Sequence, residues 1–548
     1  MSESARASER DRAAPIWQLL LLLTIAALIL VSAFPYFEQT RNANELPRLV
    51  QAMARVEAGE WAIDGPSRRG IPLGPDIARS PVDDRLYPNK PPGTSVVGTL
   101  AFRAASVGAT PPTLREFTWW ARLFAGVIPA LVLLGIAWGR LRELGHGGPV
   151  VNAVLLAWLF GTPMFAYARL FYGHALAACL LYAGLVVLAR GHARKRAWTS
   201  ALGGLLAATA ITVEYGAAFA GLPIAIALAI PVFDRRGAAT LRRHALVRAG
   251  VALMAALIPV LLLALYQRSV FGSVLSTGYH FAADPGFRAA HGQGLLGLGW
   301  PRVDKIGIDL LSPKTGLLVF SPLVLVGLAG LVHAARRTGP RAWAARLDLA
   351  VFACLLLVGL GLGFEGGWRI GPRYLVIALP CLLLGLAEAI EAWRDGPVFA
   401  GVWAVALTWS VLACSLAATL WPHVDPTNIG EPFGEVFLAL IRDGYGPYGL
   451  PQWISPGMGS VLALALPFVL AVGVNVWALG PRRVTVLLPM LVGVLMGLLI
   501  VLVILPRIVV APLKSERNLR YIELVYEPKV QIEPEGSRLE PGHTITLD

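Results

Sequence analysis

Apolar runs long enough to cross a bilayer alternate with short polar segments over most of the chain. A spanning helix needs about 20 consecutive, mostly apolar residues. In chain order, the thirteen stretches that fit are 16–35, 117–138, 150–167, 170–190, 198–213, 215–232, 247–269, 316–335, 347–364, 372–391, 398–420, 458–479 and 484–505. The pattern predicts an all-α polytopic membrane protein with about 13 transmembrane helices.

The composition indicates the same class. Of the 548 residues, 56% are hydrophobic and only 15% are charged, and the mean hydropathy is +0.63. Soluble globular chains have lower values of hydrophobicity and more charge. One more apolar stretch, 94–107, is short and is interrupted by Arg103, so we interpret it as an interfacial or re-entrant helix.

The net charge of +13 raises the question of a nucleic-acid partner, but the basic residues are concentrated in short loops between the apolar stretches. Such clusters mark the cytoplasmic face of a membrane protein. Their recurrence at alternate loops predicts a cytoplasmic N-terminus, a lipid bilayer as the surroundings and no nucleic acid as partner. The segments predicted to be extracytoplasmic are 36–116 (the first loop), 271–315 (the second loop), 365–371, 421–457 and the tail after Pro506.

The domain organisation that follows is simple. Residues 1–505 are predicted to form one transmembrane domain, whose first loop carries the active site, and residues 506–548 form a short extracytoplasmic tail. The tail alternates apolar and polar residues over 520–533, which predicts a strand hairpin.

The first loop contains an amphipathic helix. Its apolar residues recur with helical spacing at Leu46, Leu49, Val50, Met53 and Val56. Asn44 is placed to cap its start and Gly59 to end it. We expect this helix to lie on the bilayer surface, below a polar loop rich in carboxylates.

The segments NELPRLVQAMARVEAGEW (44–61) and YPNKPPG (87–93), after one span and before many others, resemble the C-type glycosyltransferase (GT-C) superfamily. This superfamily includes the protein O-mannosyltransferases and the lipid A aminoarabinose transferase. Weaker resemblances to bacterial membrane proteins grouped with these transferases occur in FYGHALA (171–177), TVEYGAA (212–218), FGSVLSTGYHF (271–281), LSPKTGLLVFSP (311–322) and GGWRIGPRYL (366–375). The resemblance implies an enzyme of the bacterial inner membrane that moves a sugar from a polyprenyl-phosphate donor to an extracytoplasmic lipid, glycan or protein acceptor.

That chemistry needs a carboxylate to accept the proton of the acceptor hydroxyl. The GT-C pattern has an acidic pair at the start of the loop helix, whereas this chain has Asn44 and Glu45. Candidate bases are therefore Glu45, Asp76 and Asp64, with the pair Asp83/Asp84 as a further alternative. Glu45 also has a structural interpretation, because an acid in the first turn of a helix is favoured by the helix dipole.

The reaction also needs cations to stabilise the departing phosphate. Only six of the 47 basic residues are lysines, and Lys90 is the single lysine before Lys195. The two prolines after Lys90 hold its backbone extended. Arg48 and Arg373 are further candidates, because arginine can bind phosphate through two parallel hydrogen bonds. Each of these cations could instead contact lipid headgroups.

Ionisable residues at the ends of spans are candidates for function because they are costly in a membrane. Glu214 and His174 lie at such ends, and Tyr279 and His280 follow in the second loop. The four cysteines lie within apolar stretches, and no cluster has metal-ligand spacing. The sequence therefore predicts no cofactor and no metal requirement.

Three other functions fit parts of the pattern. A polytopic transporter or lipid flippase also has many spans and few intramembrane charges, but it commonly shows internal repeats, and this chain shows no convincing repeat between its halves. A scaffold protein would not depend on Lys90 or on any single carboxylate. A transferase resembling O-antigen ligases would carry its main polar loop late in the chain.

Overall fold

A computed structural model describes most of the chain. The described residues are 16–32, 43–68, 71, 73–108, 111–194, 196–233, 239–292, 296–363, 366–422, 429–442, 459–479 and 484–508. The tail from residue 509 onwards, including the predicted hairpin at 520–533, lies outside them.

The predicted spans are confirmed as helices. Among the described residues, eight helices are long and apolar enough to cross a membrane, namely Leu114–Glu143, His174–Gly191, Tyr215–Phe233, Ala239–Phe271, Pro340–Gly361, Arg373–Trp393, Pro397–Leu420 and Thr485–Arg507. Five shorter apolar helices accompany them, namely Ile16–Val31, Gly148–Gly161, Ala197–Val213, Leu323–Ala335 and Leu464–Val476. Each of these helices corresponds to one of the predicted stretches. The protein is therefore a polytopic helical membrane protein.

The spans differ in how deeply they are buried. Arg373–Trp393 is 89% buried over its most apolar window, whereas Tyr215–Phe233 and Ala239–Phe271 are only 17% buried. A helix that is apolar all round and exposes most of its side chains is suited to contact with lipid. These two helices thus lie at the periphery of the bundle, and Arg373–Trp393 lies at its centre.

The first-loop helix, Leu46–Glu57, has the predicted extent, but its start and its surroundings differ from the prediction. The residue before it is Glu45, and no side chain caps its first turn. Asn44 points elsewhere, towards Arg48 and Asp76. The helix ends before Gly59, whose positive φ of 72° is a conformation that glycine adopts without strain.

This helix is embedded in the protein rather than exposed on a surface. Its apolar side packs into a small core that includes Phe102, Phe117 and Phe171. Its polar side is buried as well, because Arg48 and Gln51 have almost no accessible surface. The polar face of the helix therefore contributes to an interior site instead of facing water.

Short elements connect the first and second loops. Strands Ile77–Arg79 and Leu86–Pro88 form an antiparallel hairpin, and Ala78 also pairs with Ala282 of the second loop. The remaining first-loop helices are Asp64–Arg68 and Gly93–Ala105. The second loop contains the helical segments Gly278–Phe281, Pro285–His291 and Val303–Ile306, the last continuing as Gly307–Leu311, and Leu317–Phe320 follows it. The stretch 94–107 is thus a helix, and it packs against the first-loop helix.

Candidate functional site

Lys90 is the centre of a buried polar cluster. Its side chain is 3% exposed, and its Nζ lies 3.5 Å from Oδ2 of Asp76. The rings of Tyr279 and Phe287 flank the ammonium at 4.8 and 4.6 Å. Within the described part of the chain, Nζ makes no hydrogen bond. Burial lowers the pKa of Lys90 to about 8, although Asp76 partly offsets this effect.

Two glycines allow the segment of Lys90 to lie this deep. A side chain on Gly93 would stand 2.4 Å from the carbonyl oxygen of Thr212, at the end of a spanning helix. One on Gly278 would stand 2.6 Å from the Cα of Asn89. Such distances are closer than carbon and oxygen atoms can approach, so the lysine segment is held between the bundle and the second loop by backbone contacts.

Asp76 lies at the start of the hairpin, and its Oδ2 contacts two neighbouring side chains. Its Oδ2 accepts a hydrogen bond of 3.4 Å from Asn44 and faces Lys90. Its backbone carbonyl accepts one of 3.0 Å from Asn89. The side chain is 14% exposed, and no hydrogen bond to Oδ1 occurs in the described residues. Asp76 is therefore a positioned carboxylate with an oxygen available to a ligand.

Glu214 and Arg48 form a second ion pair beside the first. Nη2 of Arg48 lies 3.0 Å from Oε1 of Glu214, and Nη1 donates a 2.7 Å hydrogen bond to the carbonyl of Tyr172. Arg48 also contacts Asn44, which joins this pair to Asp76. The Nδ1 of His174 lies 3.7 Å from the same oxygen of Glu214. Arg48, His174 and Glu214, which the sequence suggested as separate candidates, thus lie together in the structure.

Arg373 completes the cluster from the central spanning helix. Its guanidinium donates to the hydroxyl of Tyr374 at 3.3 Å, and that hydroxyl lies 3.4 Å from Nε2 of His291. The other ring nitrogen of His291 lies 3.2 Å from the carbonyl of Leu296. Burial and the nearby Lys90 lower the pKa of His291 to about 3, so the ring is neutral at pH 7. Nδ1 then donates to Leu296, and Nε2 accepts from Tyr374.

A cavity in the bundle adjoins this cluster. Lys90, Arg48 and Arg373 do not line it, but they contact the lining residues Tyr279, Glu214 and Tyr374, respectively. Its empty space amounts to about 570 Å³, including the open mouth. The polar residues that line it are His174, Glu214, Tyr215, Tyr279, His291 and Tyr374. Its other walls are apolar and come mainly from the spanning helices, with Phe219, Leu355, Val358, Leu362 and Ile377. The cavity therefore has a polar end near the loops and an apolar end between helices.

The charges of the cluster do not balance. Among the described residues, Lys90 and the two arginines whose charges act on it, Arg48 and Arg373, supply three positive charges. Asp76 and Glu214, which also act on Lys90, supply two negative ones. His291 adds no charge, because burial lowers its pKa to about 3. A buried charge without a counterion is costly. The cluster is suited to binding an anionic ligand.

Glu45 lies outside this cluster, in a complete network of its own. Its carboxylate accepts hydrogen bonds of 2.9 and 2.8 Å from Nε and Nη2 of Arg122. It also accepts one of 2.7 Å from the backbone N–H of Phe171. The side chain is fully buried. This geometry joins the first-loop helix to two other segments and leaves Glu45 little scope to act on a ligand.

The other predicted residues are placed away from the cavity. Asp64 accepts a 2.9 Å hydrogen bond from the backbone of Leu86 and so supports the hairpin. Asp83 and Asp84 lie exposed in the hairpin turn, and Asp83 accepts from the hydroxyl of Tyr87. The ring of His280 turns back to the backbone N–H of Thr277, 3.0 Å away.

Sequence analysis missed His291, Tyr374 and Phe287. Tyr374 directly follows the candidate Arg373 in the sequence, and this adjacency could have identified it. His291 and Phe287 lie on one face of the short helix Pro285–His291, separated by four residues. No pattern in the sequence places that helix over Lys90. Among the described residues, no group of three or more His, Cys, Asp and Glu side chains is arranged to hold a metal ion.

No protein-family model matches the sequence, and no curated protein does. Among solved structures, the chain is similar to ArnT from Cupriavidus metallidurans in the apo state, at 17% identity and a TM-score of 0.46, over 89% of this chain and 77% of that one. It is similar to arabinosyltransferase EmbB from Mycobacterium smegmatis at 13% identity and a TM-score of 0.44, over 89% and 41%. It is also similar to the oligosaccharyltransferase from Archaeoglobus fulgidus at 14% identity and a TM-score of 0.40, over 83% and 64%.

Proposed function

We propose that the protein is an integral membrane glycosyltransferase that moves a sugar from a polyprenyl-phosphate donor to an acceptor hydroxyl. The observation that carries the proposal is the Lys90 cluster, which lies behind the polar end of a cavity with apolar walls and contacts the lining residues Tyr279 and Tyr374. A phosphodiester is an anion, which matches the excess of positive charge among the described residues of the cluster, where the buried Arg369 lies beside Arg373. A polyprenyl tail matches the apolar walls between the spanning helices.

Lys90 and Arg373 are the proposed phosphate ligands. Lys90 makes no hydrogen bond within the described residues, and Arg373 contributes a guanidinium whose described hydrogen bond goes to the neutral Tyr374. Both side chains are buried, so their attraction for an anion is weakly screened by water. Arg48 is held by Glu214 and is proposed to position that carboxylate and His174 at the cavity wall.

Asp76 is the proposed general base. The acceptor oxygen forms a bond to the anomeric carbon of the sugar, and the bond from that carbon to the phosphate oxygen breaks. The acceptor proton passes to Asp76, and the polyprenyl phosphate leaves with one additional negative charge. Lys90, 3.5 Å from Asp76, stabilises that charge in the transition state. Glu45 is proposed to hold the structure of the loop rather than to take part in the reaction.

The placement in the membrane follows from the donor. The proposed orientation has the N-terminus in the cytoplasm and the Lys90 cluster on the extracytoplasmic side of a bacterial inner membrane. The basic loop clusters support this orientation. The acceptor is then a lipid, glycan or protein on that side.

The proposal is tested by transfer of radiolabelled sugar from a panel of polyprenyl-phosphate sugars to envelope acceptors. The purified protein is compared with Lys90→Ala and with Lys314→Ala, which removes an exposed lysine of the second loop. We expect wild type and Lys314→Ala to transfer label from at least one donor and Lys90→Ala to lose most of that activity. Equal transfer by all three proteins contradicts the assignment of Lys90. Absence of transfer, combined with protein-dependent movement of a lipid across liposomes, favours a flippase instead.

A further inference from the structure

Residues 300–311 of the second loop expose several apolar side chains and bury one ion pair, while a second ion pair, Arg302 with Asp304, is exposed. Trp300 and Val303 are 90% and 82% exposed, and Leu311 is 59% exposed. In contrast, Lys305 and Asp309 face inward and form an ion pair of 3.1 Å with very little accessible surface. Lys305 and Asp309 are one helical turn apart, so the pair defines the buried face of this helical segment.

A segment surrounded by water has the opposite arrangement, because apolar side chains gain free energy when they leave water. Contiguous apolar surface that stays exposed marks a site of contact with a protein or a membrane. The exposed side of 300–311 therefore indicates a neighbour that is apolar but also accommodates the Arg302–Asp304 pair, as the interfacial layer of a bilayer does.

The backbone fixes the level of this segment relative to the spans. The N–H of Gly299 donates a 2.8 Å hydrogen bond to the carbonyl of Gly361, the last residue of the spanning helix Pro340–Gly361. The N–H of Arg302 donates one of 3.0 Å to the carbonyl of Leu360. The segment thus lies beside the end of a spanning helix of 22 residues, a length that matches the hydrocarbon thickness of a bilayer.

We propose that residues 300–311 are immersed in the interfacial layer of the bilayer, with Trp300, Val303, Ile306 and Leu311 in contact with acyl chains. Tryptophan is enriched at this depth because its ring is apolar and its N–H is polar. A helix with one apolar face lies parallel to the membrane plane there. The inward Lys305–Asp309 pair keeps both charges out of the lipid.

The segment is continuous with the wall of the cavity. Leu298 pairs with Leu362, and Leu362 and Leu296 line the cavity. If the proposed function holds, the immersed segment sets the cavity mouth at the level of the bilayer, where a lipid-linked donor resides. The immersion itself does not depend on that function.

The test measures the depth of single fluorophores in protein reconstituted into liposomes. Cysteines replace Val303 and Ile306 in separate variants, and Ala289→Cys serves as the control because Ala289 is exposed on the helix that covers Lys90. Three native cysteines are buried and Cys354 is partly buried, so the unsubstituted protein gives the background labelling. Lipids with brominated acyl chains and aqueous iodide are the two quenchers.

We expect brominated lipid to quench the fluorophores at 303 and 306 severalfold more than the fluorophore at 289, and iodide to show the reverse order. Iodide quenching at 303 and 306 as strong as at 289 overturns the proposal. Protection of both positions from both quenchers also overturns it, because a protein would then cover this face. Quenching needs no donor, so failure here is distinct from failure of the transfer assay.

Discussion

The ammonium of Lys90 and the carboxylate of Asp76 lie 3.5 Å apart, at the place where the first loop meets the second. The rings of Tyr279 and Phe287 flank the other sides of the ammonium. Aromatic faces stabilise a cation without neutralising it. The arrangement leaves Lys90 able to attract an anion and Asp76 able to accept a proton.

The pH dependence of donor capture is expected to report the titration of Lys90. Burial lowers its pKa to about 8, and phosphate binds the protonated form, so kcat/KM for the donor decreases as the pH rises through about 8. In Lys90→Arg the cation stays charged over this range, so the decrease moves to higher pH. The measurement is a pH profile of kcat/KM for both proteins. If kcat/KM decreases at the same alkaline pH in both proteins, a group other than Lys90 causes the decrease.

Removing the charge of Glu45 is expected to destabilise the protein. Glu45→Gln leaves Arg122 buried without its counterion, and breaking such a pair costs about 3–5 kcal/mol. The matched control is Glu60→Gln, which affects an exposed pair with Arg85 and should change stability little. Thermal unfolding in detergent compares the two variants. Unchanged stability of Glu45→Gln, together with lost transfer, would return Glu45 to the catalytic candidates.

A larger side chain at Gly216 is expected to block the apolar end of the cavity. Gly216 lines the cavity, and a Cβ there meets no atom within 4 Å, so Gly216→Leu fills empty space without strain. Gly221→Leu is the control, because it extends into open space on the same helical run but outside the cavity lining. We expect the KM for a polyprenyl donor to increase in Gly216→Leu only. An equal KM in both variants indicates that the tail binds elsewhere.

The link between Arg48 and Glu214 is expected to matter for the reaction more than for folding. Arg48→Met removes the cation that holds Glu214 and leaves that carboxylate near His174 and Lys90. Transfer should fall, and the double variant Arg48→Met/Glu214→Gln should recover stability but not activity. Unfolding and transfer assays on the single and double variants measure this coupling. Full activity of the double variant would show that the pair is only structural.

The spans and Lys90 could be predicted because their signals are local. Apolar length alone identifies a spanning helix, and a lysine is conspicuous in a chain that otherwise uses arginine. Sequence analysis also selected Arg48, His174, Glu214 and Arg373 as single candidates. Their grouping around Lys90 depends on tertiary contacts, which no local pattern reveals.

The features that escaped prediction depend on partners distant in sequence. Glu45 pairs with Arg122, 77 positions away, so a carboxylate in a motif-like position is buried in an ion pair. The first-loop helix was expected to be exposed on the bilayer surface, but its polar side is buried. Arg48 on that side pairs with Glu214, 166 positions away. In the second loop, His280 was selected together with Tyr279, yet His291 is the histidine that stacks on the Tyr279 ring.

The most direct test of the central claim is a paired measurement on Asp76→Asn. The change keeps the size of the side chain and removes the proposed base, so donor binding should persist while transfer falls by about 10²–10⁴-fold. Binding is measured with a radiolabelled polyprenyl-phosphate sugar, and transfer is measured with the same donor. Retained binding with lost transfer is the predicted result. Transfer at the wild-type rate would contradict the proposed role of Asp76.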